Sequence, residues 1–366
     1  MRTTFTLEHR DGNARAGFVT TARGTFTTPC FMPVGTRGAV KHLSSADMEE
    51  LNAQVILANN YHLLLRPGAD VVRDLGGLHA MADWDGHTLT DSGGYQVFSL
   101  EPKIDDEGAT FKSVYDGGKH KMTPESAVES QVAIGADIQM VLDVCSALPS
   151  PDHVIREALD RTALWAERAR RSFLDHPTAQ LRQSQFGIVQ GGIDLNMRAE
   201  SAQRTVDIGF DGYAVGGLSV GEHRNEWHGP LAAATDHLPA DQPRYFMGLG
   251  DPAGIVDAVA RGVDMFDCVL PTRLARHGTL LTDQGRINLT RAEFARSDEP
   301  IQDAGPAARW SKGYLRHLLQ VKEPTAARIL TLHNLWWLLG FVDDIRQSIA
   351  EKRFDAFVAD THATWG

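Results

Sequence analysis

The feature of this chain that most constrains its fold is a series of eight short apolar segments, each ending directly at a polar or glycine-rich cluster. The segments are residues 31–34, 55–58, 88–90, 139–142, 186–189, 213–215, 244–246 and the run before Asp267. Helical segments separate most of them, and eight strands alternating with helices predict a (β/α)8 barrel. Because the chemistry of such a barrel lies on the loops at the carboxyl ends of its strands, the polar clusters are expected to share one rim.

The length of the chain leaves room for additions to the barrel. Its 366 residues exceed the roughly 250 of a plain barrel. One addition is a hairpin after the third strand, centred on Asp116-Gly117-Gly118, where these residue types tolerate positive φ. Another is predicted after residue 287, with helices around 313–321, 325–339 and 343–358. The prediction is an α/β chain with a barrel over residues 1–287 and a C-terminal helical subdomain over 288–366, packed on the barrel.

Two helices are marked by their ends or their pattern. Thr123-Pro124-Glu125 places a capping hydroxyl, a proline in the first helical position and an acid in the first turn, so a helix is expected to run from there toward Gly135. The segment 151–174 has apolar residues at helical spacing on one face only. We expect that helix to pack on the outside of the barrel.

Composition excludes some classes of protein. No apolar stretch reaches the roughly 18 residues of a membrane span, and no basic-then-apolar leader opens the chain, so a cytoplasmic location is expected. The three cysteines, Cys30, Cys145 and Cys268, lie far apart beside predicted strands and suit packed thiols better than disulfides or redox sites. The formal charge of −11 argues against nonspecific coating of nucleic acid, although a local basic patch can still bind a polyanion.

Three of the strand ends carry aspartates, namely Asp91, Asp143 and Asp267. A carboxylate can attack an anomeric carbon and hold the sugar as a covalent ester while a second carboxyl group moves protons, which retains configuration. An aspartate at a strand end can also cap a helix or pair with a lysine, so each residue alone decides little. An ordinary sugar glycosidase would use two of these carboxylates as well.

The remaining rim residues fit a flat heterocycle. Asp143 can accept from ring N–H groups, while Gln190 and the backbone of Gly216-Gly217 can donate to a ring carbonyl, which is the pattern of a guanine edge. Tyr95 and Met247 can hold such a ring between an aromatic face and a thioether, although a methionine alone is more often a core residue. A sugar glycosidase would leave these residues without a task.

At these positions the chain closely resembles the bacterial tRNA-guanine transglycosylase (queuine tRNA-ribosyltransferase) family. The matching motifs keep the family's order from about Phe5 to the last helix; they are Asp91-Ser92-Gly93-Gly94-Tyr95-Gln96-Val97-Phe98, Gly187-Ile188-Val189-Gln190-Gly191-Gly192, Ala214-Val215-Gly216-Gly217-Leu218-Ser219-Val220-Gly221-Glu222, Tyr245-Phe246-Met247-Gly248 and Phe266-Asp267-Cys268-Val269-Leu270-Pro271-Thr272-Arg273. The resemblance implies a barrel enzyme that exchanges the wobble guanine of certain tRNA anticodons for a 7-deazaguanine in queuosine biosynthesis. The resemblance further implies that no cofactor drives the exchange.

The resemblance also implies residue roles. Asp267 is expected to be the nucleophile on the ribose and Asp91 the acid/base, supported by Asn59. Arg273 and Arg276 are expected to meet the anticodon loop. The groups expected to hydrogen-bond to the edge of the base are Asp143, Ser92, Gln190 and the Gly217 backbone. Its two faces are expected to be covered by Tyr95 and Met247. The Leu218 carbonyl is expected to accept from an aminomethyl substituent, and Glu222 to stabilise the backbone of Leu218.

One element of the family is missing from this chain. The family pattern has Cys-X-Cys-X-X-Cys and a later histidine as a Cys₃His structural zinc site. Here the cysteine positions hold Gln302, Ala304 and Ala307, and only His333 remains. We therefore expect no zinc, a packed helical role for His333, and a subdomain held by apolar burial that includes Trp336.

Three alternatives stay open from the sequence. A noncatalytic tRNA-binding subunit is one, although Asp91, Asp143 and Asp267 are all retained, and a transglycosylase acting on another nucleic-acid site is a second. The third concerns the incoming base: Cys145 and Val220 match the pattern that takes 7-aminomethyl-7-deazaguanine rather than bulky queuine, whereas Asn60 and Val144 depart from the usual residues beside the pocket.

The resemblance also implies a homodimer, whose interface is expected around Trp310, Tyr314 and His317.

Overall fold

The structure of the chain, a computed structural model, describes residues 3–218 and 224–366. The strands of these residues are β1 (Thr4–Asp11), β2 (Ala14–Thr20), β3 (Thr25–Thr28), β4 (Cys30–Pro33), β5 (Val55–Asn59), β6 (His87–Asp91), β7 (Lys103–Asp105), β8 (Gly108–Lys112), β9 (Lys119–Met122), β10 (Ile138–Met140), β11 (Ser184–Val189), β12 (Gly212–Val215), β13 (Arg244–Phe246), β14 (Met265–Cys268), β15 (Thr279–Thr282) and β16 (Gly285–Asn288).

Fifteen α-helices accompany these strands in the described ranges. They are α1 (Ser45–Glu50), α2 (Asn60–Leu63), α3 (Ala69–Asp74), α4 (Gly77–Ala82), α5 (Gly94–Phe98), α6 (Pro124–Ile134), α7 (Asp152–Asp175), α8 (Ala179–Arg182), α9 (Leu195–Ile208), α10 (His228–Thr235), α11 (Pro252–Val259), α12 (Leu270–Arg276), α13 (Lys312–Gln320), α14 (Pro324–Ala350) and α15 (Phe354–Trp365). Short 3-10 turns lie at Arg224–Glu226 and Ala292–Arg296, and a π-helical turn at Leu64–Gly68 connects α2 to α3.

Eight parallel strands form the barrel that the sequence predicts. Their order in the sheet is β4-β14-β13-β12-β11-β10-β6-β5, and a parallel bridge between Val34 and Leu57 joins β4 to β5 and completes the ring. The strands are almost wholly buried, as expected for a parallel sheet covered by helices. The eight carboxyl ends therefore point to one rim, and all three aspartates of the sequence prediction lie there.

Two predicted helices are confirmed: the one that begins after Thr123 and the amphipathic one over 151–174. Thr123 accepts from the Ser126 backbone N–H and Ser126 reciprocates, so α6 starts with a capping box and ends at Gly135 in the left-handed region. Helix α7 buries one face against the barrel, with Ala166, Ala169 and Phe173 in the main apolar core. Short-range sequence signals were sufficient here because each end is satisfied by residues three or four positions away.

The hairpin predicted after the third strand is part of a three-stranded antiparallel sheet, β7-β8-β9. Tyr61 of α2 packs its ring 5.6 Å from the Phe111 ring on β8, which attaches this small sheet to the barrel rim. A second three-stranded sheet, β1-β2-β3, precedes the barrel. The sequence prediction missed it, because β1 is mostly exposed and lacks the short apolar run that marks each barrel strand.

The C-terminal region differs from the prediction in one element. The two helices expected over 325–339 and 343–358 are a continuous helix, α14, followed by the separate helix α15. Gly340 does not interrupt α14, because the helix keeps a buried apolar face on both sides of it.

Asn334 on α14 connects that helix to the barrel. Its side-chain oxygen accepts from Leu281 N–H at 3.0 Å, and its amide donates to the Pro271 carbonyl at 2.9 Å. Because Pro271 belongs to the helix that follows the last barrel strand, α14 is bonded directly to the rim that carries the three aspartates. The boundary at residue 287 stays a prediction. No helix of the described ranges is long and apolar enough to cross a membrane.

Candidate active site

Asp267 lies near the end of β14 at the rim. Its Oδ1 accepts the Tyr245 hydroxyl at 2.5 Å and the Gly248 backbone N–H at 2.7 Å. No donor reaches Oδ2 among the residues that the structure describes. Burial raises the pKa of Asp267, and the two hydrogen bonds oppose that effect. One oxygen is therefore anchored while the other is unshared, which suits a carboxylate that must attack.

Asp91 is the last residue of β6 and is held by the neighbouring strand end. Its Oδ1 accepts the backbone N–H groups of Asn60 at 2.9 Å and Gly93 at 3.2 Å, and the Asn59 side chain donates to its Oδ2. The strand register sets Asn59 directly beside Asp91. Burial raises the pKa of Asp91 to about 6, with a smaller contribution in the same direction from the charge of Asp267. Such a carboxyl group can both give and take a proton near neutral pH.

The third aspartate, Asp143, follows β10 and is buried. Burial raises its pKa to about 6, and the charge of Asp91 adds to that effect. Since Asp267 acts on Asp91 and Asp91 acts on Asp143, the three carboxyl groups share one electrostatic environment, in which each charge disfavours the next. Perturbed carboxyl groups gathered at one rim are typical of an active site.

Gln190 connects Asp143 to the next strand. Its side-chain amide donates to Asp143 Oδ2 at 2.6 Å, and its backbone N–H donates to Ser201 Oγ at 2.9 Å. The predicted pair of base-reading groups is thus brought together. The hydrogen bond opposes the effect of burial on the Asp143 pKa, because it favours the ionised form.

Gly216 and Gly217 are glycines because Gln190 lies against them. A Cβ at position 216 would sit 2.9 Å from Gln190 Nε2, and one at position 217 would overlap Gln190 Oε1. Gly217 also has φ +63°, which disfavours a side chain. Close contact between amide and backbone at this point requires the absence of both side chains.

Arg198 is a buried residue that the sequence prediction missed. From the first turn of α9 its guanidinium donates to the Gly192 carbonyl at 2.7 Å, the Gly216 carbonyl at 2.7 Å and the Gly217 carbonyl at 3.0 Å. It thus connects the loops after β11 and β12 from below. The signal in the sequence was the helical spacing, because Arg198 falls on the same face as the buried Ser201.

The other predicted base-binding residues lie around these loops. Ser92 is buried, and its Oγ accepts the Gly94 backbone N–H at 3.1 Å. Tyr95 is 65% exposed at the start of α5, and Met247 is partly buried beside Gly216. Their sandwich role stays a prediction.

Two more predicted residues belong to the segment after β12. Leu218 is buried, and its side chain belongs to the main apolar core, so only its backbone is suited to contact a ligand. Glu222 lies outside the described residues.

Arg273 and Arg276 lie on α12, which begins just after Asp267. Arg273 is exposed and Arg276 is partly exposed. Burial, and after it the charge of Arg273, lowers the pKa of Arg276. Two neighbouring cations thus lie on the helix that follows Asp267, and their contact with RNA stays a prediction.

The residues at the expected zinc positions do not fit that metal. Gln302 donates to Asp283 Oδ2 at 2.8 Å, Ala307 is buried in an apolar cluster, and Ala304 carries no donor atom. His333 is buried and its Nε2 is 2.9 Å from the Leu281 carbonyl oxygen, and burial lowers its pKa. Without thiolates the set lacks the ligands of a structural zinc site.

Aromatic rings of α14 pack against each other in this region. Trp337 is buried, stacks 5.3 Å from the Phe341 ring, and donates from Nε1 to Asp283 Oδ1 at 2.8 Å. Trp336, which the sequence predicts to be buried, is only partly buried, and its ring lies over Gly305. Of the residues expected at a dimer interface, Trp310 is partly exposed, and Tyr314 and His317 are exposed.

Comparisons with known proteins agree with this geometry. The family model described as queuine tRNA-ribosyltransferase matches residues 11–366. A queuine tRNA-ribosyltransferase of Solidesulfovibrio magneticus is 48% identical over 99% of this chain and 98% of its own length. One from Herpetosiphon aurantiacus is 46% identical over 98% and 91%, and one from Bacillus subtilis is 43% identical over 100% and 96%. The chain therefore belongs to the queuine tRNA-ribosyltransferase family.

Proposed function

We propose that the protein is a tRNA-guanine transglycosylase of queuosine biosynthesis, a pentosyltransferase that replaces the wobble guanine of tRNA with a 7-deazaguanine. Family membership supports the activity. The single observation that carries its chemistry is the presence of two different carboxyl groups at one rim. Asp267 has one anchored oxygen and one unshared oxygen, and Asp91 is a proton carrier whose pKa is raised to about 6.

The exchange is a double displacement. Asp267 Oδ2 attacks C1′ of the ribose as the bond from C1′ to N9 of guanine breaks, which forms an ester between Asp267 and the ribose. Asp91 gives its proton to the departing base. The incoming base then loses its N9 proton to the Asp91 carboxylate and attacks C1′, and the Asp267 carboxylate leaves. Two inversions retain the configuration at C1′.

Recognition of the base uses the hydrogen-bonding groups beside the carboxylates. Asp143 accepts from the ring N–H and amino groups, while Gln190 and the Gly217 backbone donate to the ring carbonyl. Gln190 and Asp143 bond each other at 2.6 Å, so a base must replace part of that bond with its own. Ser92 adds a further polar contact, and Tyr95 and Met247 cover the faces of the ring.

The incoming base is proposed to be 7-aminomethyl-7-deazaguanine, whose amino group would donate to the Leu218 carbonyl. Val144 is buried next to Asp143 in the chain, and Asn60 is committed to Asp91 through its backbone and to the Ser92 carbonyl through its amide at 3.1 Å. The preference for this base rests on Cys145 and Val220, which match the pattern for the smaller substituent. Queuine would require a wider pocket.

No cofactor is proposed, because every step uses the two carboxyl groups and the base itself. Zinc is also left out, since Gln302, Ala304 and Ala307 supply no thiolate. The C-terminal region is held instead by burial around Trp337. We further propose a homodimer whose contact includes the exposed Tyr314 and His317.

The function is tested by exchange of labelled guanine into tRNA. The wild-type protein should incorporate label, and incubation with tRNA in the absence of an incoming deazaguanine should leave a protein–RNA adduct that resists denaturant. Asp267→Asn should abolish both, while tRNA binding persists. An undiminished adduct in Asp267→Asn would move the nucleophile to another residue, and a wild type that binds tRNA without exchange would favour the noncatalytic subunit.

A further inference from the structure

Two arginines, a histidine and a tyrosine lie together at the rim beside the hairpin, and they have no part in the chemistry described above. The guanidinium carbon of Arg37 lies 5.4 Å from the centroid of the Tyr115 ring, and that of Arg66 lies 5.0 Å from it. His62 Nδ1 is 2.7 Å from the Tyr115 hydroxyl. We call Arg37, His62, Arg66 and Tyr115 the Tyr115 cluster.

The Tyr115 cluster joins three loops of the active rim. Arg37 follows β4, His62 and Arg66 follow β5, and Tyr115 lies in the turn between β8 and β9 of the inserted sheet. Tyr61, the neighbour of His62, lies 3.1 Å from the position of a Cβ at Gly93, next to Asp91. The cluster is therefore close to the acid/base without touching it.

The charges of the cluster are not neutralised by the described part of the protein. Within residues 3–218 and 224–366, neither Arg37 nor Arg66 forms an ion pair with a carboxylate. Asp116, the acid next to Tyr115, is used within its own turn, where it accepts the Gly118 N–H at 2.9 Å and lies 3.9 Å from His120. Both arginines are exposed. Two like charges held near one ring favour the approach of an anion.

One further cation, Lys41, connects the Tyr115 cluster to α12. Lys41 and His42 lie in the same loop as Arg37, and the pKa of His42 is lowered by burial, then by the charges of Arg276 and Lys41. Cations thus extend along the rim from Arg276 to Arg66, in a chain whose formal charge is −11. A local positive band on an acidic protein directs a polyanion to one place.

We propose that the Tyr115 cluster binds the phosphate backbone of the RNA substrate beside the exchanged nucleotide, so that the RNA lies across the rim between α12 and the inserted sheet. This rests on the proposed function. A phosphate is the fitting ligand because guanidinium groups present paired donors to its oxygens. Stacking of a base on Tyr115 is disfavoured, since guanidinium groups already cover the ring. The contacts with the ring hold both arginines in place before RNA arrives.

The test compares the Arg37→Gln/Arg66→Gln double variant with Arg182→Gln. Arg182 is an exposed arginine at the end of α8, before β11 and hence on the opposite face of the barrel, so its replacement removes charge without touching the rim. The measurement is the Kd for fluorescently labelled, full-length tRNA containing the target guanine, by anisotropy, between about 50 and about 200 mM salt.

The double variant should weaken binding by about tenfold or more at the higher salt. The slope of log Kd against log salt should fall by roughly 1 for each phosphate that the variant no longer neutralises. Arg182→Gln should bind as the wild type does. Tyr115→Leu keeps both charges but loosens their placement, so Kd should rise by about threefold with little change of slope. Melting temperatures check that each variant is folded.

Two outcomes would overturn the proposal. One is a Kd and a slope in the double variant equal to those of Arg182→Gln. The other is an unchanged slope together with weakened self-association in sedimentation, which would assign the cluster to contact with a second copy of the chain. Guanine exchange by the wild type separates the proposed function from the proposed binding surface. If the wild type exchanges guanine but the double variant keeps the wild-type slope, the function stands and the surface is excluded. If the double variant lowers the slope but the wild type does not exchange guanine, the surface stands and the function is excluded.

Discussion

Removing the charge of Asp143 should stabilise the protein at high pH while disabling it. The folded protein raises the pKa of this carboxyl group from 3.8 to about 6, chiefly through burial. A carboxyl group whose pKa is raised by folding prefers to be protonated in the folded state. It therefore costs no stability below its unfolded pKa, and it destabilises the fold increasingly as pH rises through the folded pKa.

The magnitude follows from that shift. About two pKa units at roughly 1.4 kcal/mol each amount to about 3 kcal/mol of destabilisation once both states are ionised, near pH 8. At pH 5 the folded carboxyl group is largely protonated while the unfolded one is largely ionised, so roughly half of that cost is present. Asp143→Asn removes it, because asparagine has the same shape and its carbonyl can still accept from Gln190.

The assay is urea unfolding of wild type and Asp143→Asn at pH 5 and pH 8, with base exchange measured on the same samples. The variant should be the more stable protein at pH 8, by about 3 kcal/mol, and by about half as much at pH 5. Its exchange activity should fall strongly, since asparagine no longer offers two acceptors to the base. A variant that is less stable than wild type, or whose advantage does not grow with pH, would refute the attribution of the shift to burial.

Three further predictions concern the pocket loop and the C-terminal region. Gly217→Ala should displace Gln190 and reduce base exchange by at least tenfold while tRNA binding stays near wild type, because the new Cβ overlaps Gln190 Oε1; Gly209→Ala, at another positive-φ glycine with open space, controls for backbone strain. Elemental analysis should find far less than one zinc per chain, with no effect of chelator on melting. Trp337→Ala should cost about 3–5 kcal/mol and loosen the C-terminal helices first. Stoichiometric zinc whose removal abolishes exchange, or an unmelted C-terminal region in Trp337→Ala, would contradict these expectations.

Much of the candidate site was accessible from strand ends alone. Asp91, Asp143 and Asp267 each follow an apolar segment, and in a closed parallel barrel every strand end reaches the same rim. The pocket glycines were also marked in the sequence, since Gly216 and Gly217 directly follow β12. The sequence could not show why they are needed, because Gln190, which excludes their side chains, belongs to another strand.

Local sequence determined the barrel class, the capped start of α6 and the positions of the rim carboxylates, because periodicity and capping act over a few neighbouring residues. Tertiary structure alone decided the burial that raises the pKa of Asp91, the position of Arg198 beneath two loops, and the meeting of Arg37 and Arg66 over Tyr115. Each of these depends on contacts between segments distant in the chain, whose energies come from desolvation and geometry that no short window of sequence contains.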